Sequence, residues 1–481
     1  MPLQTTQFLV FLACTLGIAL ATFVICFRAP RRDKTSNREY FLAGGGLSWI
    51  FVAGSITLTN LSTDQLVGMN GNQMLLLAWW ELSAVVGLII LAKIFLPIYY
   101  RENCTTTTEL LEKKYGNKHI RAVIASLFLL GNVFIYLPIM LYTGSLFMQS
   151  MFSLQVPLIV IAAVFAAVGG AYAIFGGLRA VAVSDTLSGV ILLSMGILIT
   201  ILALIAIDFD FSGIPAERLT LIGDSDSPIP WHTLLTGMIF IQIFYWSTNQ
   251  TITQRAMASP TLQEGQRGVI AAAVIRLLIV PPIIVLPGIV SYKLYGNIGD
   301  AAYGRIAGDL LPMGLSGLFA AAIAAAVLTS FNSVLNSSAT LYVCDLHEKY
   351  IKSTPNIPRV SAIITVLMIV FAVALVPVYS GAVSIINLVQ ELNGLLSMPI
   401  LSCFIVGLVF KNVDARAAII AVIFGVSLYA FFSFVWMPIH YIHMMLFTLI
   451  SCVLVALACN RILFGKIASL RERQRLSPLP G

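Results

Sequence analysis

Five polar residues in close succession, Asn60, Ser62, Thr63, Asp64 and Gln65, interrupt an apolar run that begins near Leu47. They lie in the stretch TNLSTDQLVGMNG, with Gly68 and Gly71 just beyond. A lipid-facing helix cannot carry such a run, since one Asp at a helix centre costs ~2.5–3.5 kcal/mol on insertion scales. Polar, weakly helix-forming sequence at membrane depth is tolerated where it lines a buried cavity, which makes this stretch a candidate binding site. The plainer alternative is a helix end with its connecting loop. A second interruption, QIFYWSTNQTITQ at 242–254, has Tyr245, Trp246, Ser247, Thr248, Asn249 and Gln250 as its polar break.

A third chemistry-bearing stretch is LFAAAIAAAVLTSFNSVLNSSATLYV, within 312–342. Its small residues allow a neighbouring backbone to come close. Thr329 and Ser330 present hydroxyls beside Ala326, one turn earlier. A hard cation such as Na⁺ prefers oxygens, so carbonyls of an unwound helix together with these hydroxyls could cage one. Close packing alone would also account for the alanines. Asn336, Ser337, Ser338 and Thr340 continue the polar stripe, as the wall of a hydrated exit would. The ionisable residues inside apolar spans are Asp64, Glu81, Asp185, Arg276 and Glu391. Each could be half of a structural ion pair, but four acids against one Arg leave negative charge for a cation to balance.

The elements that must position these residues are membrane helices. The chain of 481 residues is 59% hydrophobic and 10% charged, with mean hydropathy +0.93, far from the ~25% charge of soluble domains. Runs of about 20 residues or more, long enough to span a bilayer, fall at 6–27, 46–70, 73–99, 122–150, 156–177, 181–207, 230–254, 268–292, 312–342, 358–379, 382–409, 414–436 and 440–461. Residues 7–27 are too long an apolar stretch for a signal peptide and read as a retained helix. With the N-terminus outside, inner segments hold 23 of the 28 Lys and Arg residues, outer loops hold Arg218, Lys293 and Arg305, and Lys93 and Arg276 lie within spans. The net charge of +7 is therefore topology, with the C-terminus cytoplasmic and the basic tail needing only the lipid surface as partner. No basic, aromatic-interleaved module points to nucleic acid, no protein partner is evident, and the seven cysteines have no metal-type spacing.

Two interrupted spans five spans apart, in opposite orientation, are what an inverted five-helix repeat produces. The expected organisation is an added helix and loop at 1–45, a first repeat at 46–207, an outer loop at 208–229, a second repeat at 230–409, and two helices with a basic tail at 410–481.

The motifs YFLAGGGLSW, NLSTDQLVGMNG, FLPIYY, FGGLRAVAVSD, FYWSTNQTITQR, VLPG and AAAVLTSFNSVLNSSAT together resemble the sodium/solute symporters, over roughly residues 38–465. Those include the sodium/glucose and bacterial sodium/galactose cotransporters. The resemblance implies an all-α fold of the leucine-transporter type in the plasma (inner) membrane. It implies a sodium site from the carbonyls of Leu58 and Leu61 with Ala326, Thr329 and Ser330, and Asp185 on the sodium path to the cytoplasm. It implies a sugar pocket at Asp64, Gln65, Glu81, Gln242, Arg276 and Gln390, with Tyr245 stacking on the sugar and Trp246 beside it. Three positions depart from the galactose transporters: Asp64 stands for Glu, Arg276 for Lys, and Tyr136 for Asn.

The expected activity is sodium-coupled import of a small hydroxylated solute such as galactose or glucose. An Arg fork suits a carboxylate better than a Lys point charge does, so a uronate-, sialate- or pantothenate-like solute is the competing expectation. Coupling to protons through Asp64 or Asp185 stays open, as does a passive channel or sensor. The sequence has no HExxH, no GxSxG and no nucleophile–base pair on facing spans, which argues against an enzyme.

Overall fold

The computed structural model describes residues 5–27, 41–382 and 384–471. The basic stretch Arg28–Arg38, the Tyr40 that opens the first motif, and Arg473 and Arg475 of the tail lie outside the described residues. Helices dominate: α1 (Thr5–Phe27), then α2 (Trp49–Asn60) and α3 (Thr63–Gly71), the two halves of the first interrupted span. Next come α4 (Leu75–Arg101), the short α5 (Thr107–Tyr115), α6 (Lys118–Phe152) and α7 (Leu158–Ala206). The second interrupted span is α8 (Gly237–Ser247) and α9 (Gln250–Met257). It is followed by α10 (Leu262–Tyr295), α11 (Ala302–Leu310), α12 (Met313–Tyr350), α13 (Ile357–Tyr379), α14 (Ile385–Val409), α15 (Ala415–Val435) and α16 (Tyr441–Ile462). Among the described residues nine helices are long and apolar enough to cross a membrane, and four shorter apolar helices join them.

The order of elements repeats. A broken helix, a long helix, a nine-residue connecting helix and another long helix occur as α2–α6 and again as α8–α12. Burial separates centre from periphery. In α12, 89% of the most apolar window is buried, against 28% in α13, which turns Ile363, Val366, Leu367, Val370 and Phe371 outward. The alanine-rich α12 is thus the post around which the others pack, because small side chains let backbones approach.

Two spans were expected at 156–177 and 181–207, yet the helical run α7 is continuous over 49 residues. Straight, it would be about 74 Å long, more than twice the hydrocarbon thickness. Gly169 packs on Leu328, Phe331 and Asn332 of α12, while the Asp185 carboxylate reaches Thr329 of the same turn. Sixteen residues of straight helix would hold those points about 24 Å apart. The run therefore doubles back between them and packs on α12 with both arms.

Candidate functional site

The breaks are shorter than the polar stretches that announce them. In the first, only Leu61 (φ −77, ψ 63) and Ser62 (φ −98, ψ 179) leave helical geometry, and Thr63, Asp64 and Gln65 already form the first turn of α3. In the second, Tyr245, Trp246 and Ser247 remain helical. The chain bends at Thr248 and Asn249, whose side chain caps α9 by accepting from the Thr251 amide at 2.9 Å. Asn249 holds this geometry by bonding backbone that the helix leaves unsatisfied, whereas Ser62 makes no such side-chain cap.

Ending α2 at Asn60 strips its last carbonyls of helical partners. Thr57 O accepts the Leu61 amide at 3.0 Å and an Arg276 N–H at 3.0 Å. Leu58 O accepts the Ser330 hydroxyl at 3.4 Å, and Thr329 donates to Ala326 O at 3.2 Å. Ser330 thus joins α12 to the end of α2, next to the Thr329–Ala326 pair, and Leu61 is buried at the break. Asp185 is bonded from the same helix α2: Ser55 donates to it at 2.6 Å and Thr59 at 3.5 Å. Its Oδ1 is buried without a hydrogen-bond partner, which leaves an oxygen for a cation or water to satisfy.

A small, largely polar cavity opens between the two broken helices. Asp64 and Gln65 of α3, Glu81 of α4, and Gln242, Tyr245 and Trp246 of α8 line it, with Gln390 of α14 and Tyr136 of α6. Close approach of α4 to α8 is permitted by Gly87, where a Cβ would collide with the Gln242 carbonyl. Gln242 donates to Trp80 O and Ser83 Oγ, each at 2.8 Å, and accepts from the Trp246 indole at 2.9 Å.

Arg276 sits behind the wall rather than in it. It donates to Glu81 Oε1 at 2.5 Å and Gln65 Oε1 at 3.2 Å, lies 4.8 Å from the Trp246 ring, and is fully buried. Gln65 also bonds Glu81. Glu391 faces away from the cavity, into an outer recess with Asp226 and His440.

Sequence reading missed two residues. Arg255, counted there as a cytoplasmic loop charge, is fully buried 4.0 Å from Asp185 and donates to Ser55 at 2.8 Å. Among the described residues the buried acids are Glu81, Asp185, Asp345 and Asp414 and the buried arginines Arg121, Arg255 and Arg276, while Asp64 and Glu391 are half-buried, so the expected excess of buried negative charge shrinks. Asn393 lines the cavity and accepts from Tyr136 OH at 2.5 Å; its i, i+3 spacing from Gln390 was the available signal. Tyr136, at the end of the widened π turn Asn132–Tyr136, lines the cavity.

Toward the C-terminal end of α12 its polar stripe is engaged. Thr251 meets Ser337 at 2.8 Å, and Gln254 donates to Thr340 at 3.1 Å and to Phe41 O at 2.7 Å.

Comparison with known proteins supplies the class. An uncharacterized symporter, YidK, of Escherichia coli (strain K12) is 32% identical, over 95% of this chain and 83% of its own length. A sodium/glucose cotransporter of Vibrio parahaemolyticus is 30% identical, over 93% of this chain and 88% of its own length. The solved structure of a Na⁺-coupled sialic acid symporter in a substrate-bound outward-open state superposes with a TM-score of 0.81 at 18% identity, covering 98% of this chain and 99% of that one. Fold and relatives define a multi-pass membrane transporter of the leucine-transporter type that uses Na⁺ as its coupling ion. The chain belongs to the sodium:solute symporter family, whose model matches residues 40–425.

Proposed function

We propose that this protein imports a small polyhydroxylated solute, a sugar of the galactose–glucose kind, by sodium-coupled alternating access across the plasma (inner) membrane. The observation that carries the reading is the adjacency of two sites on one broken helix: Leu58 faces the α12 hydroxyls and Asp64 faces the cavity. Na⁺ would be held by the carbonyls of Leu58, Leu61 and Ala326 and the hydroxyls of Thr329 and Ser330, with Asp185 on its way to the cytoplasm. Ordering the α2–α3 break would set Asp64 and Gln65 for solute hydroxyls. Glu81, Gln242, Gln390 and the faces of Tyr245 and Trp246 would complete the ring, with Arg276 holding Glu81 and Gln65 in place.

A site whose buried polar groups are matched only by a hydroxylated ligand is selective, because a poorer ligand leaves them unpaired. The membrane potential contributes ~2.3 kcal/mol per charge per 100 mV to inward sodium movement. Thirteen crossings with the N-terminus outside, and rocking of 46–207 against 230–409, belong to the same proposal. Parting the Thr251–Ser337 and Gln254–Thr340 contacts would open the exit.

A carboxylated solute is the second reading, favoured by the likeness in fold to the Na⁺-coupled sialic acid symporter. Uptake into proteoliposomes decides between them: labelled galactose or glucose should accumulate above equilibrium with Na⁺ outside, and stop when choline replaces Na⁺. Accumulation of a uronate or sialate instead, or indifference to Na⁺, would refute the first reading.

A further inference from the structure

We infer that the cavity is charge-selective: it takes a polyhydroxylated solute that is neutral or bears an ammonium group, and Asp64 makes it turn carboxylated solutes away. This rests on the sodium-coupled sugar reading and narrows its substrate class. Arg276 is neutralised by Glu81 at 2.5 Å, its Nη1 donates to Thr57 O and its Nη2 also to Gln65, its Nε–H is buried without a partner, and the residue does not line the cavity. Pulling it away to meet a solute carboxylate would strand Glu81, 1% exposed, without a counter-charge. Arg255 is likewise committed, to Asp185, Ser55 and the Thr251 carbonyl.

That leaves Asp64. Among the described residues it has no ion-pair partner, and its Oδ1 is buried with no hydrogen bond. It lines the cavity with Tyr136, Tyr245 and Trp246, and no basic side chain shares that lining. The cavity therefore presents, among aromatic faces, one carboxyl group with no ionic partner, held only by backbone amides at the start of α3. A solute hydroxyl can donate to it, and an ammonium can also rest against the rings, whereas a second carboxylate would be repelled in a poorly screened space.

The test is competition by glucose, glucosamine and glucuronate on the full-length protein with Na⁺. It is read as solute-dependent thermal stabilisation in detergent and as inhibition of sodium-driven uptake into proteoliposomes. Wild type should bind glucosamine at least as well as glucose and glucuronate at least tenfold more weakly. Asp64→Asn should shrink the glucose–glucuronate gap about tenfold and erase any glucosamine advantage, while Asp64→Glu should keep both. Equal binding of all three by wild type, or an unchanged gap in Asp64→Asn, would overturn the charge proposal while leaving sodium-coupled sugar transport standing. Sodium-dependent stabilisation with no response to any of the three would sink the sugar reading and this inference with it. If Asp64→Asn does not fold, the wild-type ranking and the Asp64→Glu variant still decide.

Discussion

Ser330 and Arg276 make contrasting demands on the molecule. The Ser330 hydroxyl touches only the Leu58 carbonyl across the helix break, so its removal leaves a small, oxygen-poor gap. A hydrogen-bonding group presented to a charge is worth about 1.5–3 kcal/mol, so Ser330→Ala should raise the sodium concentration for half-maximal stabilisation about 10- to 100-fold, with little loss of Tm without Na⁺. Sodium titration by thermal shift checks both halves of that outcome. Arg276→Ala should behave oppositely. It strands Glu81 and frees Thr57 O in a buried wall, a loss of about 3–5 kcal/mol in stability that lowers Tm at every sodium concentration. The double change Glu81→Gln with Arg276→Gln should recover much of it, since no lone charge remains.

The helices decide which of these side chains meet, and this is where the sequence was partly legible. Two polar interruptions in apolar runs pointed to two broken helices, because hydrocarbon tolerates no such run on a lipid face. Asp64, Gln65, Glu81, Gln242, Tyr245, Trp246 and Gln390 were all named beforehand and share one cavity. The exact bends were not legible, since Thr63 and Ser247 are as compatible with a helix turn as with a break. Nor was the burial of Arg255. Its companions Asp185 and Ser55 lie far away along the chain, and a Lys/Arg count treats every basic residue near a helix end as loop charge.

Two outcomes belong to this scale. Thr251→Ala with Gln254→Ala removes the bonds that close α9 on α12, so a cysteine placed at Asn336 should react with a cytoplasmic-side maleimide at least several-fold faster. Just before α16, burial, then His443, then His232 hold the His440 imidazole down to about 4 from the usual 6.5. Its neutral Nδ1 caps α16 by accepting from the Ile442 amide at 3.3 Å. The folded state binds fewer protons than the unfolded one, so this contribution is complete above about pH 6.5 and is lost as pH falls through about 4. Hydrogen exchange across 436–443 should accelerate between about pH 7.5 and about pH 5 beyond the intrinsic correction, and His440→Gln should flatten that difference. No extra acceleration in wild type would contradict the assignment.

For the whole molecule, the central claim is that one broken helix serves two ligands. If the α2–α3 break orders around Na⁺ and also presents Asp64 and Gln65 to the solute, the two binding events share a coupling free energy. Thermodynamic linkage then makes it reciprocal. The helical, membrane-spanning scaffold was legible from the length and recurrence of the apolar runs. The doubling back of α7 shows what was not, because its helical run continues through the reversal and only contacts on α12 reveal the turn. The decisive measurement is the Kd for Na⁺ with and without saturating glucose or galactose, and the Kd for the sugar with and without saturating Na⁺. The account predicts that each ligand tightens the other by the same factor, about 5- to 150-fold, and that Ser330→Ala weakens the sodium-dependent gain. Two affinities that ignore one another would contradict it.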